Sequence, residues 1–265
     1  MSWTILRATL QQRRTALAWY IGSLVAYSWM MVWFYPKIGG GEYAQLIDSM
    51  PPEIMQVMGG GDISFASLGG FFQTEYLGLM WMLIVASAVL IYTSHAFAGE
   101  IADGTMELVL SQPVSRVKLA ITRVAGLVAY VLLLAAATFV PIQVFGPTYD
   151  INLSAKVFWL LMALGTSFML AVGGIGMLTS SAFRSGGKAS SIAAGVLIVM
   201  WVSDLVSNFS DVADFFGPVN LISSWQPGKI INDGTAPGEV WWLYGIVAAV
   251  SLVACVFVFA RRDVA

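Results

Sequence analysis

The sequence predicts an all-α integral membrane protein with six transmembrane helices. Of its 265 residues, 58% are hydrophobic and only 11% are charged, and the mean hydropathy is +0.79. A soluble domain of this length does not need so much apolar surface. The charged residues also lie between long uncharged windows, and about 20 apolar residues are enough to cross a bilayer as a helix. Together these observations exclude a soluble globular protein.

Six uncharged windows carry the prediction of six spans. We expect spans at about 15–36, 76–98, 120–146, 157–181, 189–207 and 240–260. The fifth window has only 15 uncharged residues, 189–203, and it suffices if Asp204 lies near the far interface. The chain 1–265 is then a single transmembrane domain with outer segments at 37–75 and 208–239. Segment 208–239 is too apolar for a free loop and too broken for a span, which predicts short helices buried against the spans.

Residues 1–14 favour an amphipathic helix lying in the interface plane before span one. On such a helix Trp3, Leu6 and Leu10 share an apolar face, and basic residues occupy the neighbouring face. A frayed start to span one is the alternative. The arginines that would form this interfacial anchor are Arg7, Arg13 and Arg14.

The lysines and arginines predict the orientation of the chain. With six spans, ten of the 13 basic residues fall on the side of the two termini, and three fall on the other side. Cytoplasmic loops carry the excess of Lys and Arg, so both termini and the segment between spans two and three should be cytoplasmic. The expected location is the inner membrane of a bacterium.

Residues 99–116 form a polar island between spans two and three. Glu100, Asp103 and Glu107 are spaced by three and four residues, so on one continuous helix they would form an acidic stripe. Gly104 weakens that helix by roughly 1 kcal/mol relative to Ala, and Pro113 ends it. The island is either a solvated loop or a docking element for a partner outside the membrane.

The island resembles the signature between spans two and three of exporter-type permeases of bacterial ABC transporters, in the type-2 superfamily. The resemblance lies in an acidic cluster, Gly104-Thr105, a leucine-rich turn and then residues 113–116, Pro-Val-Ser-Arg. Residues 50–53 (Met-Pro-Pro-Glu) and 75–78 (Glu-Tyr-Leu-Gly) also resemble the first outer loop of these permeases. One departure is Ile101-Ala102, where many relatives carry further acids.

The resemblance implies a permease subunit that pairs with a second copy or a paralogue and docks on two cytoplasmic ATP-binding subunits. ATP and Mg²⁺ would bind in those partners, because this chain has no G-x-x-x-x-G-K-[ST] sequence and would not itself be an enzyme. Residues 99–116 would then contain a cytoplasmic coupling helix. The residues expected to dock are Glu100, Asp103, Gly104, Thr105 and Glu107.

Two further features of the spans have a packing interpretation and a transport interpretation. Gly173, Gly174 and Gly176 permit close approach of helices, or they line a moving surface. Asp204 is the acid that lies closest to membrane depth, and such a residue is a candidate for the transport pathway.

Other function classes are less consistent with the sequence. A stand-alone channel or ion-coupled transporter predicts ionisable residues in mid-span, and only Asp204 approaches this. An intramembrane enzyme needs paired polar groups at one depth. A metal site needs clustered His or Cys ligands, whereas the chain has one His and one Cys. Spans this apolar suit an amphipathic drug, peptide or lipid as the substrate.

Overall fold

The structure, a computed structural model, describes residues 13–38, 49, 51, 67–207 and 217–262. Of the described residues 85% are helical and none is in a strand, which confirms the predicted all-α class. The predicted interfacial helix 1–14, with Arg7, lies outside the described residues except for its last two positions.

Ten α-helices make up the described part of the chain. In chain order they are α1 (Arg14–Ile38), α2 (Leu68–Phe71), α3 (Leu79–Ser94), α4 (Glu100–Ala102), α5 (Thr105–Leu110), α6 (Arg116–Phe145), α7 (Ala155–Ala182), α8 (Gly186–Ser207), α9 (Pro227–Asp233) and α10 (Gly238–Arg261). Two π-helical turns, Phe72–Tyr76 and His95–Gly99, and a 3-10 turn, Gly146–Tyr149, interrupt or extend them. Serine caps set two helix starts: Ser115 accepts from the N–H of Lys118, and Ser154 from that of Val157.

Within the described residues, six helices are long and apolar enough to cross a membrane, as predicted. Span one is α1, and span two is α3 together with the π turn His95–Gly99 and α4. Spans three to six are α6, α7, α8 and α10. Because consecutive spans alternate in direction, the basic residues 13, 14, 116, 118, 123, 184, 188, 261 and 262 gather toward one end, called the basic end. Lys37, Lys156 and Lys229 lie toward the opposite end.

Span four is the central helix of the bundle, in contact with spans two, three, five and six. A Cβ on Gly176 would lie 2.3 Å from Thr93 Oγ1 of span two, and one on Gly173 would lie 2.9 Å from Leu127 of span three. A Cβ on Gly174 would approach Ser251 of span six to 3.0 Å. These glycines therefore let three neighbouring helices approach closely, which is the packing interpretation of the small-residue run.

Spans three and five differ sharply in how much of their surface the chain itself covers. In the most apolar window of span three 61% of the residues are buried, whereas in span five only 11% are. The exposed face of span five carries Ile192, Val196 and Val199, and together with Val219 and Asn220 it lines a groove of about 540 Å³. Lipid or another protein must cover this face.

The opposite end is closed by short helices from the two outer segments. α2 and the π turn Phe72–Tyr76 precede span two, and they contact α9, which precedes span six. The N–H of Gly69 donates to Asn232 Oδ1 at 3.0 Å, and the N–H of Gly228 donates to Gln73 Oε1 at 3.0 Å. A Cβ on Gly69 would lie 2.3 Å from the Gly228 carbonyl oxygen, so this contact requires glycine.

Stacked aromatic rings lie directly beneath this closure. Trp81 of span two stacks on Trp225 with ring centroids 4.8 Å apart, and Phe168 of span four lies 5.8 Å from both rings. The buried indole N–H groups are satisfied, because Trp81 donates to Thr138 Oγ1 and Trp225 donates to the Leu77 carbonyl. The described part of segment 208–239 thus folds into short, buried structure, as its mixed composition predicts.

Candidate functional site

The segment between spans two and three does not form one helix. Span two ends in the π turn His95–Gly99 and α4, and the chain then turns at Gly104, whose φ of 71° is left-handed. α5 follows and ends at Leu110, before Pro113. Only glycine adopts such a φ at little cost, so Gly104 separates two helices instead of merely weakening one. The predicted continuous helix is wrong for this reason.

The predicted acidic stripe is therefore wrong as well. Glu100 precedes the break and points into the bundle, where it is only 7% exposed. Its two carboxylate oxygens accept from Arg123 Nη2 of span three at 2.6 and 2.7 Å. Asp103 and Glu107 are exposed. Glu100 is thus part of a buried ion pair, and the exposed acids of this site are Asp103 and Glu107.

α5 has one buried face and one exposed face. Met106 is completely buried, and Thr105 Oγ1 donates to the Glu100 carbonyl at 3.2 Å. On the other face Glu107 is exposed, and Leu108 is 71% exposed. We call Asp103, Glu107 and Leu108 the α5 surface. It combines a large exposed apolar side chain with two exposed carboxylates, which suits an apolar socket lined by basic groups.

Leu108 is the residue that the sequence reasoning missed. In the sequence it belongs only to the leucine-rich turn of the family signature. The signal was its position, since Met106, Val109 and Leu110 can share one side of a helix and Leu108 then lies off that side. An apolar residue opposite a helix's buried side is a candidate contact for another protein.

Residues 3–264 match the model of the ABC-2 family transporter protein family. The chain belongs to the ABC-2 transporter family. A search of curated proteins found no match. ABC-2 permeases are the non-catalytic membrane subunits of ABC transporters and work with ATP-binding subunits. Six apolar helices together with this family make the chain a multi-pass membrane protein.

The permease also ties the ends of three spans together at its basic end. Arg262, just after span six, donates to the carbonyls of Ser181 and Phe183 at 2.7 and 3.0 Å. Arg116, at the start of span three, donates to the Arg262 carbonyl. Partial burial, and then the neighbouring Arg184 charge, lower the pKa of Arg262. These bonds fix the frame from which α5 extends.

The described part of the interfacial anchor lies next to this site. Arg14 is exposed, and Arg13 is close enough to interact electrostatically with Glu100, His95 and Tyr92. Arg13 and the end of span two around Glu100 thus belong to one region of the permease. Sequence spacing alone does not connect them.

The structure does not bring the two transport-related predictions together. Asp204 is three residues from the end of span five at the opposite end, whereas Gly176 is six residues from the basic end of span four. Since one residue advances a helix by about 1.5 Å, Asp204 and the glycines lie at different depths. Within the described residues no group of three or more His, Cys, Asp or Glu side chains could hold a metal ion.

Proposed function

We propose that this ABC-2 permease forms, as a dimer, the translocation path of an ATP-driven exporter and docks on its ATP-binding subunits through the α5 surface. The basic end is then cytoplasmic, because Lys and Arg concentrate on that side of bacterial inner membranes. ATP and Mg²⁺ bind in the partner subunits. Asp103, Glu107 and Leu108 make the contact, Gly104 and Thr105 orient it, and the arginines of the interfacial anchor flank it.

The observation that carries this proposal is the exposed face of α5. A two-turn helix that presents Leu108 to solvent gains nothing in the isolated chain, since its buried face is already satisfied by Met106. Fitted into a socket on a partner, the same side chain becomes a fully desolvated anchor. The exposed carboxylates of Asp103 and Glu107 would fix the register of the contact.

The dimer is supported by the uncovered face of span five. This face is apolar and β-branched along its length, with Gly195 opening a groove in it. A second permease copy or a paralogue would cover it and enclose a path between the two halves. The apolar lining suits an amphipathic drug, peptide or lipid as the exported substrate.

Affinity purification from the native membrane tests the docking proposal. A tagged permease, gently solubilised, should bring down an ATPase that carries Walker motifs, identified by mass spectrometry. Leu108→Glu should lower the yield of this ATPase about tenfold or more, because it places a charge in an apolar socket. Glu107→Lys should abolish the stimulation of ATP hydrolysis by the permease without changing its folding.

Lys118→Glu is the matched control for Glu107→Lys. It also reverses an exposed charge at the basic end, but it lies in the first turn of span three, where an acid is favourable. Its ATPase yield should equal that of the unchanged permease. If an intact permease dimer brings down no ATPase, the chain is a stand-alone channel or ion-coupled transporter, and Asp204 is the next residue to replace.

A further inference from the structure

The junction between span two and α5 is held from two sides by side chains of other spans. On one side Arg123 of span three holds the Glu100 carboxylate with two hydrogen bonds. On the other side Ser180 of span four holds the π turn. Arg123 and Ser180 are both less than 5% exposed. Neither belongs to the α5 surface, so contact with an ATP-binding subunit does not account for them.

The bonds from Ser180 compensate for the irregular geometry of the π turn. Its Oγ accepts from the N–H groups of Phe97 and Ala98 at 3.2 and 3.1 Å, and it is within 3.3 Å of the Ser94 carbonyl oxygen. Helix irregularities leave backbone groups without their usual partners, and in a bilayer such groups must find partners inside the protein. A hydroxyl from span four thus stabilises a distortion of span two.

The polar contacts form a continuous chain from α5 into the bundle. Thr105, at the start of α5, donates to the Glu100 carbonyl, and the Glu100 side chain binds Arg123. Tyr92 of span two donates to the Arg123 carbonyl at 3.3 Å, which ties this part of span three back to span two. A Cβ on Gly104 would have no atom within 4 Å, so packing does not lock the turn before α5.

We propose that Arg123 and Ser180 are positioning residues for ATP coupling, which carry a displacement of α5 into spans three and four. Arg123 acts through Glu100, and Ser180 acts through the backbone of the π turn. This inference rests on the proposed function, since α5 has to be moved by an ATP-binding subunit. It also reassigns Glu100 from docking to transmission.

The Glu100–Arg123 pair is better suited to transmission than to stability. Burying two charges costs about as much as their attraction returns, so an apolar pair of similar size would hold the helices together equally well. The short, charge-assisted contact between Glu100 and Arg123 nevertheless fixes the distance between the end of span two and span three. That fixed distance lets a displacement of the segment before α5 reach span three.

The test uses the full complex of permease and ATPase in lipid discs. Cysteines replace exposed Gln112, in the segment that follows α5, and exposed Lys156, at the opposite end of span four, and both carry spin labels. The native Cys255 is buried in span six and is left in place. In the unchanged complex the distance distribution should shift when ADP and vanadate trap the ATPase. Ser180→Ala should remove the shift and lower permease-dependent ATPase stimulation at least about fivefold.

Ser181→Ala is the matched control for Ser180→Ala. Ser181 is equally buried, but its hydroxyl donates to the Leu178 carbonyl of its own helix and lies near Cys255 of span six. This variant should keep both the shift and the stimulation. If Ser180→Ala also keeps both, Ser180 does not position the junction and the inference fails for it.

Arg123 is tested by loss and rescue. Arg123→Gln should lose the distance shift while the ATPase yield on purification stays within about twofold, since the α5 surface is intact. The charge exchange Glu100→Arg with Arg123→Glu should recover at least about half of the stimulation. If every variant of the pair fails to fold, or Arg123→Gln stays coupled, the pair only holds the fold and the inference is overturned. If the unchanged permease recovers no ATPase, the proposed function fails instead.

Discussion

The two ends of the permease are held together by different kinds of interaction. At the basic end the segment that leads to α5 is held mainly by polar contacts: a buried ion pair, a serine that bonds two backbone N–H groups, and arginines that bond carbonyls. One aromatic pair, Phe97 with Phe259, packs beside them. At the opposite end a stack of aromatic rings lies under two short helices that touch glycine to glycine. One end leaves a helix exposed on an unpacked turn, and the other end is closed.

The difference indicates where the free energy of folding is concentrated and where motion is inexpensive. Van der Waals packing is a main source of stability inside a bilayer, since lipid offers no hydrophobic driving force between helices. Elements with few buried contacts open at low cost. The opposite end should therefore dominate the free energy of unfolding, and α5 should be the first described helix to move.

Trp81→Ala should give the largest loss of stability and so tests the opposite end most directly. The variant removes a fully buried ring from the stack and leaves a cavity, which costs about 3–5 kcal/mol. Trp242→Ala, on a ring that is 74% exposed, is the control and should change little. Thermal unfolding in lipid discs measures both variants. Equal losses in the two would contradict the idea that the stack holds this end.

Gly69→Ala should produce the next largest effect. The added methyl would lie 2.3 Å from the Gly228 carbonyl oxygen, so α2 and α9 must move apart, at about 1–3 kcal/mol. Gly245→Ala is the matched control, because it lies within span six and its methyl would have no atom within 4 Å. If Gly69→Ala leaves the unfolding temperature unchanged, the contact between α2 and α9 is loosely packed.

Gly104→Ala should have a smaller and more local effect at the basic end. Its left-handed φ costs an L-residue about 1–2 kcal/mol, whereas Asn adopts it more readily. Hydrogen exchange should show faster exchange in residues 105–110 for Ala than for Asn, with spans two and three unchanged. Coupled ATPase activity should fall in the same order. Global destabilisation by Gly104→Ala would mean that α5 is integral to the bundle.

Glu75→Gln should give the smallest effect, visible only in its dependence on pH. Burial in the π turn that precedes span two raises the pKa of the Glu75 carboxyl above its ordinary value of 4.5. The folded protein then binds this proton more tightly than the unfolded chain. This contribution to stability is present below pH 4.5 and is lost as the pH rises through the folded-state pKa. Glu75→Gln should lose this pH dependence of the free energy of unfolding, measured from unfolding curves at several pH values. An unchanged pH dependence would mean that another group causes it.

The helices could be predicted because the bilayer imposes a simple rule. An uncharged stretch of the right length has one stable conformation in a membrane, so the windows between charged residues lead directly to six helices. The mixed composition of segment 208–239 likewise predicts short buried structure. Both predictions rest on local composition, and neither needs knowledge of which spans are neighbours.

The arrangement of residues 99–116 could not be predicted in the same way. The acidic stripe assumed one continuous helix, and a single left-handed residue, Gly104, changes the direction of everything after it. The burial of Glu100 depends on Arg123, which becomes a neighbour only once spans two and three pack. The sequence contained a partial signal for this pair. Arg123 lies two turns inside an apolar helix, where an arginine needs an acidic partner, and Glu100 lies near the end of the preceding span. The α5 surface needed the helix break to be known first.

The π turn His95–Gly99 also bears on how this permease can vary in length. A π turn holds about one more residue than the α-helical turn that it replaces. Each residue of an α-helix turns the chain by about 100°, so deleting one residue there would swing α4 and α5 around the axis of span two. The direction of α5 thus depends on the number of residues in this turn as well as on their identity. Ser180 would keep the extra residue tolerable.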